Sequence, residues 1–144
     1  MPQETFSHTV AVDATPDVAW AALQNPDTWS NIGPVAEVSN PSFDASGTLR
    51  SFDWVADVGG KRYDGEAIGG DFTPNERYTM TLDTSEIAGD VIATITQGNP
   101  STEVTVEITF RTKGMLSAMF FPAIKQALAS GFPQQVEDLA ATIA

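Results

Sequence analysis

The chain has 144 residues, no cysteine and one histidine, and its seven basic against nineteen acidic side chains give a formal net charge of −12. Those counts exclude disulfides, thiolate catalysis, thiolate metal sites and any multi-histidine metal centre. The negative field repels phosphate backbones and anionic lipid, so nucleic acid and acidic membranes make poor partners. The length fits one domain over 1–144 with a full core, and the 42% hydrophobic fraction is that of an ordinary globular chain. The acidity reads as solubility, and a salt-adapted source would look similar.

The opening "MPQETFSH" has neither a basic nor an apolar targeting segment. The longest apolar candidate, "GMLSAMFFPAIKQALASGF", is interrupted by Lys125 and Gln126. That falls short of the run of about 18 uncharged apolar residues that marks a spanning helix. A cytoplasmic protein without integral membrane association is the expectation.

In chain order, Phe6, His8, Val10 and Val12 share one phase of a strand, with Thr5, Ser7 and Thr9 on the other. Thr15-Pro16 supplies an N-cap and a first-turn proline for a helix of about two turns, whose stripe is Val18, Ala19, Ala22 and Leu23. Asn25-Pro26 repeats the device for a second short helix carrying Trp29, ended by Gly33-Pro34. Strands follow at Val35–Ser39, Thr48–Val58, Lys61–Asp71, Arg77–Asp83, Val91–Thr96 and Glu103–Thr112. The link "NPSFDASG" reads as turn, and "SEIAGD" and "QGNPS" as later connections.

Gly59-Gly60 is a two-residue hairpin signal. Val58 opposite Lys61 sets Ala56 against Tyr63, Trp54 against Gly65 and Phe52 against Ala67, each aromatic over a small partner. On the other face that register pairs Asp57 with Arg62 favourably and Asp53 with Glu66 unfavourably. The last strand alternates Val104, Val106, Ile108 and Phe110 with polar residues, as one face of an antiparallel sheet buried and one solvated. Beyond Gly114, Met115 to Ala144 is helical in period, with Leu116, Phe120, Ile124, Leu128, Phe132, Val136, Leu139 and Ile143 on one stripe. Pro122 is a candidate true start, and Pro133 after Ser130-Gly131 is expected to kink or split this helix.

Strand, two short helices, six strands and a long helix make an order that resembles the START/SRPBCC superfamily. The segment "HTVAVDATPDVAWAALQNPDTWSNIGPVAEV" is most similar to its polyketide cyclase/dehydrase and lipid-transport branch. "KGMLSAMF" lacks the glycine-tryptophan step of the activator-of-chaperone-like branch. The resemblance implies an α+β helix-grip fold: a seven-stranded curved antiparallel sheet wrapped around the C-terminal helix, with the short helices plugging its open end. It also implies a cavity between sheet and helix.

Several inward residues are candidates for that cavity. His8 could act as acid, base or ligand donor, or be a satisfied edge-strand histidine. Arg50 could hold a carboxylate or enolate, or snorkel to water. Tyr63 and Tyr78 could orient a ligand or simply cap a core. Phe52, Trp54, Met80, Phe110, Met119, Phe120 and Ile124 would form the apolar walls, with Trp29 beside the mouth. The same side chains would be ordinary core if the helix sat closer. No P-loop, dinucleotide fingerprint, nucleophile elbow or metal cluster is present, and no cofactor is expected. The leading expectation is a monomer or weak homodimer that binds or carries a small hydrophobic molecule: a lipid, isoprenoid, aromatic or polyketide-like compound. A cyclase/aromatase/dehydratase-type enzyme using the same cavity is the second reading, and a protein-interaction module is the third.

Overall fold

The computed structural model describes residues 3–30, 35–58, 61–84, 87–98, 101–113, 121–141 and 143. The chain forms β1 (Gln3–Val12), helix α1 (Pro16–Leu23), a 3-10 turn (Pro26–Trp29) and six further strands. These are β2 (Val35–Phe43), β3 (Leu49–Val58), β4 (Lys61–Thr73), β5 (Arg77–Asp83), β6 (Ile87–Gln97) and β7 (Thr102–Thr112). Helix α2 (Phe121–Ala141) follows. The strands build one curved antiparallel sheet in the order β1-β7-β6-β5-β4-β3-β2. Consecutive strands β1 and β2 therefore stand at opposite edges. The two short helices fill the crossing, with α1 against β6 and the 3-10 turn against β2.

Local chemistry fixes that plug. Asn25 caps the 3-10 turn by accepting from the Asp27 amide at 3.0 Å. Thr15 occupies the N-cap of α1, yet its side chain makes no cap bond. A helix leaves its last carbonyls without partners. Here the Thr28 hydroxyl donates to the Ala22 carbonyl at 2.7 Å and the Trp29 indole to the Leu23 carbonyl at 2.9 Å. The Thr102 hydroxyl donates to the Ala14 carbonyl at 2.7 Å, tying the entry of α1 to β7.

The β3–β4 register matches the pairing read from sequence, from Val58↔Lys61 to Phe52↔Ala67. Gly59-Gly60, like Gly33-Pro34, lies outside the described residues. The unfavourable Asp53–Glu66 pairing is relieved at the edge, where the Asn40 amide donates to Asp53 at 2.9 Å. Asn40 has φ +50 and sits in a bulge of β2 between Ser39 and Ser42. That bulge carries β2 through Pro41 to Phe43, four residues beyond the expected end, because an edge strand tolerates proline. The turn shrinks to the residues around Asp44. Its carboxylate accepts from Ser46 and the Thr48 amide, and these bonds, the Ser46 hydroxyl first, lower its pKa. β6 starts at Ile87 rather than Val91: Ile87, Ala88 and Gly89 are all buried, so they show no alternation.

Helix α2 packs mainly on β1 and β7, burying Phe132, Val136 and Leu139, with Phe132 tilted against Phe6 at 6.4 Å between ring centroids. It runs through Pro133 as one helix, so the expected split does not occur. Burial of the flanking Phe132 and Val136 on the sheet offsets the hydrogen bond that proline forfeits.

The concave face bends at Gly65, where there is no room for a Cβ. A Cβ on Gly65 would lie 2.5 Å from the Trp54 ring and 2.8 Å from the Asp83 carbonyl, whereas one on Gly131 would meet only the Gln135 side chain at 3.5 Å. Gly65→Ala is expected to destabilise by about 2 kcal/mol through overpacking. Gly131→Ala is expected to stabilise by about 1 kcal/mol through helix propensity. Urea unfolding of the two variants reads both signs.

Candidate functional site

The candidate site is the concave face of the sheet. Phe52, Trp54, Tyr63, Tyr78, Met80 and Phe110 all stand on it, each 4% exposed or less. Side chains lining an open hollow keep accessible surface, so this stretch of wall is packed. Of the other expected wall residues, Met119 and Phe120 lie outside the described residues, and Ile124 falls within α2 with its side chain undescribed.

Arg50 and Tyr78 come together at the plug end of the face. Gly69 brings them there: a Cβ on it would stand 3.2 Å from both the Arg50 guanidinium and the Tyr78 hydroxyl. Both groups are held by main chain. The Tyr78 hydroxyl donates to the Leu49 carbonyl at 2.5 Å. Arg50 donates to the Gly69 carbonyl at 2.8 Å and the Gly70 carbonyl at 3.3 Å, and lies 5.3 Å above the Phe72 ring. Trp20 packs on both Phe72 and Tyr78, each at 5.9 Å between centroids, and Trp29 lies 6.4 Å from Tyr78. This aromatic-guanidinium cluster clamps the plug to β3, β4 and β5. Gln24 adds a further tie, accepting from the Leu49 amide at 2.8 Å.

His8 is elsewhere. It stands on edge strand β1, five strands along the sheet from Arg50 on β3. Its Nε2 lies 3.1 Å from the Glu137 carboxylate on α2, with 30% of the side chain exposed. It therefore joins strand to helix at the rim and does not meet Arg50 or Tyr78.

Two polar groups on the concave face escaped the sequence reading. The Trp54 indole nitrogen and the Thr112 hydroxyl are buried with no hydrogen-bond partner among the described residues. Trp54 reads as apolar wall, and Thr112 as a strand end; the available signal was that Thr112 shares the phase of Val104, Val106, Ile108 and Phe110.

Among the described residues no group of three or more His, Asp or Glu side chains is arranged to hold a metal. No described helix is long and apolar enough to cross a membrane. An open cleft of about 940 Å³ lies off the concave face, where Asp17, Glu76, Arg77 and Gln97 give it a polar rim.

Residues 3–144 match the sequence profile of the polyketide cyclase / dehydrase and lipid transport family, and the chain belongs to that family. Solved structures agree with the fold. The Zhui aromatase/cyclase from Streptomyces sp. R1128 superposes with a TM-score of 0.68 at 13% identity, over 99% of this chain and 97% of its own. A START superfamily protein from Mycobacterium smegmatis gives 0.60 at 15% identity, over 94% and 98%. The Mll3558 protein from Rhizobium loti gives 0.64 at 19% identity, over 97% and 96%. No curated protein matches the chain.

Burial pushes the Tyr78 phenol up to about 12, against a smaller lowering by the nearby Arg50 charge. The unfolded phenol ionises near its ordinary value of about 10 while the folded one stays neutral. This contribution is complete below pH 10 and is lost as pH rises toward about 12. Tyr78→Phe is expected to cost about 1 kcal/mol at neutral pH through the lost hydrogen bond. It is also expected to flatten the decline in melting temperature across that alkaline window.

Proposed function

We propose that the chain binds a small, largely apolar molecule between the concave face of the sheet and helix α2. The observation that carries this reading is the state of the polar side chains. Arg50 and Tyr78 are engaged by main-chain carbonyls, and His8 faces Glu137 at the far rim. General acid–base work needs a group free to reach the reacting proton. What the concave face offers instead is broad apolar area, which yields about 25 cal/mol per Å² when a guest covers it.

Because the described wall is packed, room for a guest comes from α2 moving off the sheet. Gly131 and Pro133 are the natural hinge, since one weakens the helix by entropy and the other removes a hydrogen bond. The plug beside Trp29 borders the same opening.

An aromatase/cyclase-type activity is the second reading, favoured by the meeting of Arg50 and Tyr78 around Gly69. Catalysis would require both groups to leave their carbonyl partners when substrate enters.

Native mass spectrometry of the protein taken from its own cells is expected to show a retained apolar guest. His8→Ala is expected to change its affinity by less than about twofold, since its partly exposed contact with Glu137 lies at the far rim and contributes little. Recovery of a chemically converted product, lost on Arg50→Ala, would favour the enzyme instead. In hydrogen exchange, the amides of Gly131, Phe132, Gln134 and Gln135 are expected to exchange faster than those of β6 and β7 and to slow when the guest binds. Protection there equal to the sheet in the free protein would exclude the hinge.

A further inference from the structure

The chain carries one histidine and no cysteine, so His8 is the only side chain of its 144 residues that ordinarily changes charge between about pH 5 and 8. That residue stands at the joint between the sheet and helix α2. Its Nε2 lies 3.1 Å from the Glu137 carboxylate, one turn beyond Pro133. A second tie of reversed polarity lies on the other side of Gly131 and Pro133, where Lys125 on α2 reaches Glu4 on β1 at 3.6 Å. The proposed hinge therefore falls between two ion pairs that fasten the helix to one strand.

The two ties differ in their response to pH. Lysine and glutamate ordinarily keep their charges across this window, so the Lys125–Glu4 pair holds throughout. A neutral imidazole gives a carboxylate at most an ordinary hydrogen bond, whereas an imidazolium gives a charge-assisted one, roughly twice as strong. Among the described residues no other charge faces His8 from the elements packed on it. Across β7 its partner is Val106, while Glu103, Glu107 and Arg111 alternate to the convex face, Arg111 on Asp90. On α2, Asp138 accepts from Gln134 at 2.9 Å.

We infer that His8 and Glu137 form a pH-sensitive latch on α2, which tightens on acidification and holds the guest site closed. The latch rests on the carrier reading, in which α2 leaves the sheet to admit a guest, and it adds what governs that step. At neutral pH, where an imidazole is mostly uncharged, the pair contributes little. The side chains are 30% and 51% exposed, so the charged pair shifts the closing equilibrium by about threefold.

Hydrogen exchange of the full chain reads the latch without any guest. A helical segment as short as 134–141 is marginal once off the sheet, so its amides exchange when it detaches. Rates are referred to those of unstructured peptides at each pH. Protection of these amides is expected to be about threefold higher at about pH 5.5 than at about pH 8, with β6 unchanged. His8→Gln and Glu137→Gln are expected to remove the difference, and Lys125→Gln to keep it. All three side chains are partly exposed, and melting curves confirm that each variant folds. In equilibrium dialysis, the apolar probe fluorene is expected to bind the wild type about threefold more weakly at the acid end. His8→Gln and Glu137→Gln are expected to bind it equally at both. Equal protection in the wild type at the two pH values, or a difference that survives in both of those variants, would overturn the latch and leave the carrier reading standing. No fluorene binding at either pH, with the exchange pattern intact, would overturn the carrier reading and leave the latch as a tie between strand and helix.

Discussion

The first two strands of this chain stand at opposite edges of one sheet, and the rest of the structure follows from that separation. Six strand spacings at about 4.8 Å put the edges roughly 29 Å apart along the sheet. The chain between them must cross its open end, and it does so as α1 and the 3-10 turn. Each crossing element is sealed by side-chain bonds to main chain, Thr28 to Ala22, Trp29 to Leu23 and Thr102 to Ala14. Curvature makes the crossing possible. It is set where large rings meet glycines, Trp54 on Gly65 and Phe110 on Gly89.

The same geometry divides the concave face into two ends with different chemistry. At the plug end, Arg50 and Tyr78 bond to main-chain carbonyls within a clamp that Phe72 and Trp20 complete, and the Gln24 Nε2 beside it is buried without a partner among the described residues. At the other end, Trp54 and Thr112 keep unpartnered polar atoms in an apolar setting. An aromatase/cyclase and a START superfamily protein share this fold, and a fold does not choose between roles. The distinction is local: whether polar side chains are free to act. In this chain the clamp end serves the fold, and the proposed guest site is the apolar wall.

Much of the architecture is legible in the sequence because short-range signals encode it. Alternation in β7, proline-led caps at Pro16 and Pro26, and aromatics set over small partners in the β3–β4 hairpin are all visible in the residues. The tail of β2 is hidden because its bulge at Asn40 and Pro41 imitates a turn. The start of β6 is hidden because Ile87, Ala88 and Gly89 are buried without alternation. The roles of the candidate site residues were less readable. Arg50 binds carbonyls, which carry no sequence signature, and His8 meets a glutamate 129 positions away. Trp54 reads as plain hydrophobe until the environment of its nitrogen is known.

Whether a guest sits on the concave wall is open to direct observation. Isotope-filtered NOE spectra of the labelled protein with bound fluorene report which protein protons touch the ring system. Contacts to Met80, Val91 and Ile108, all buried on that wall, are expected. Contacts confined to exposed Val18, Phe43 and Ile68 would contradict it.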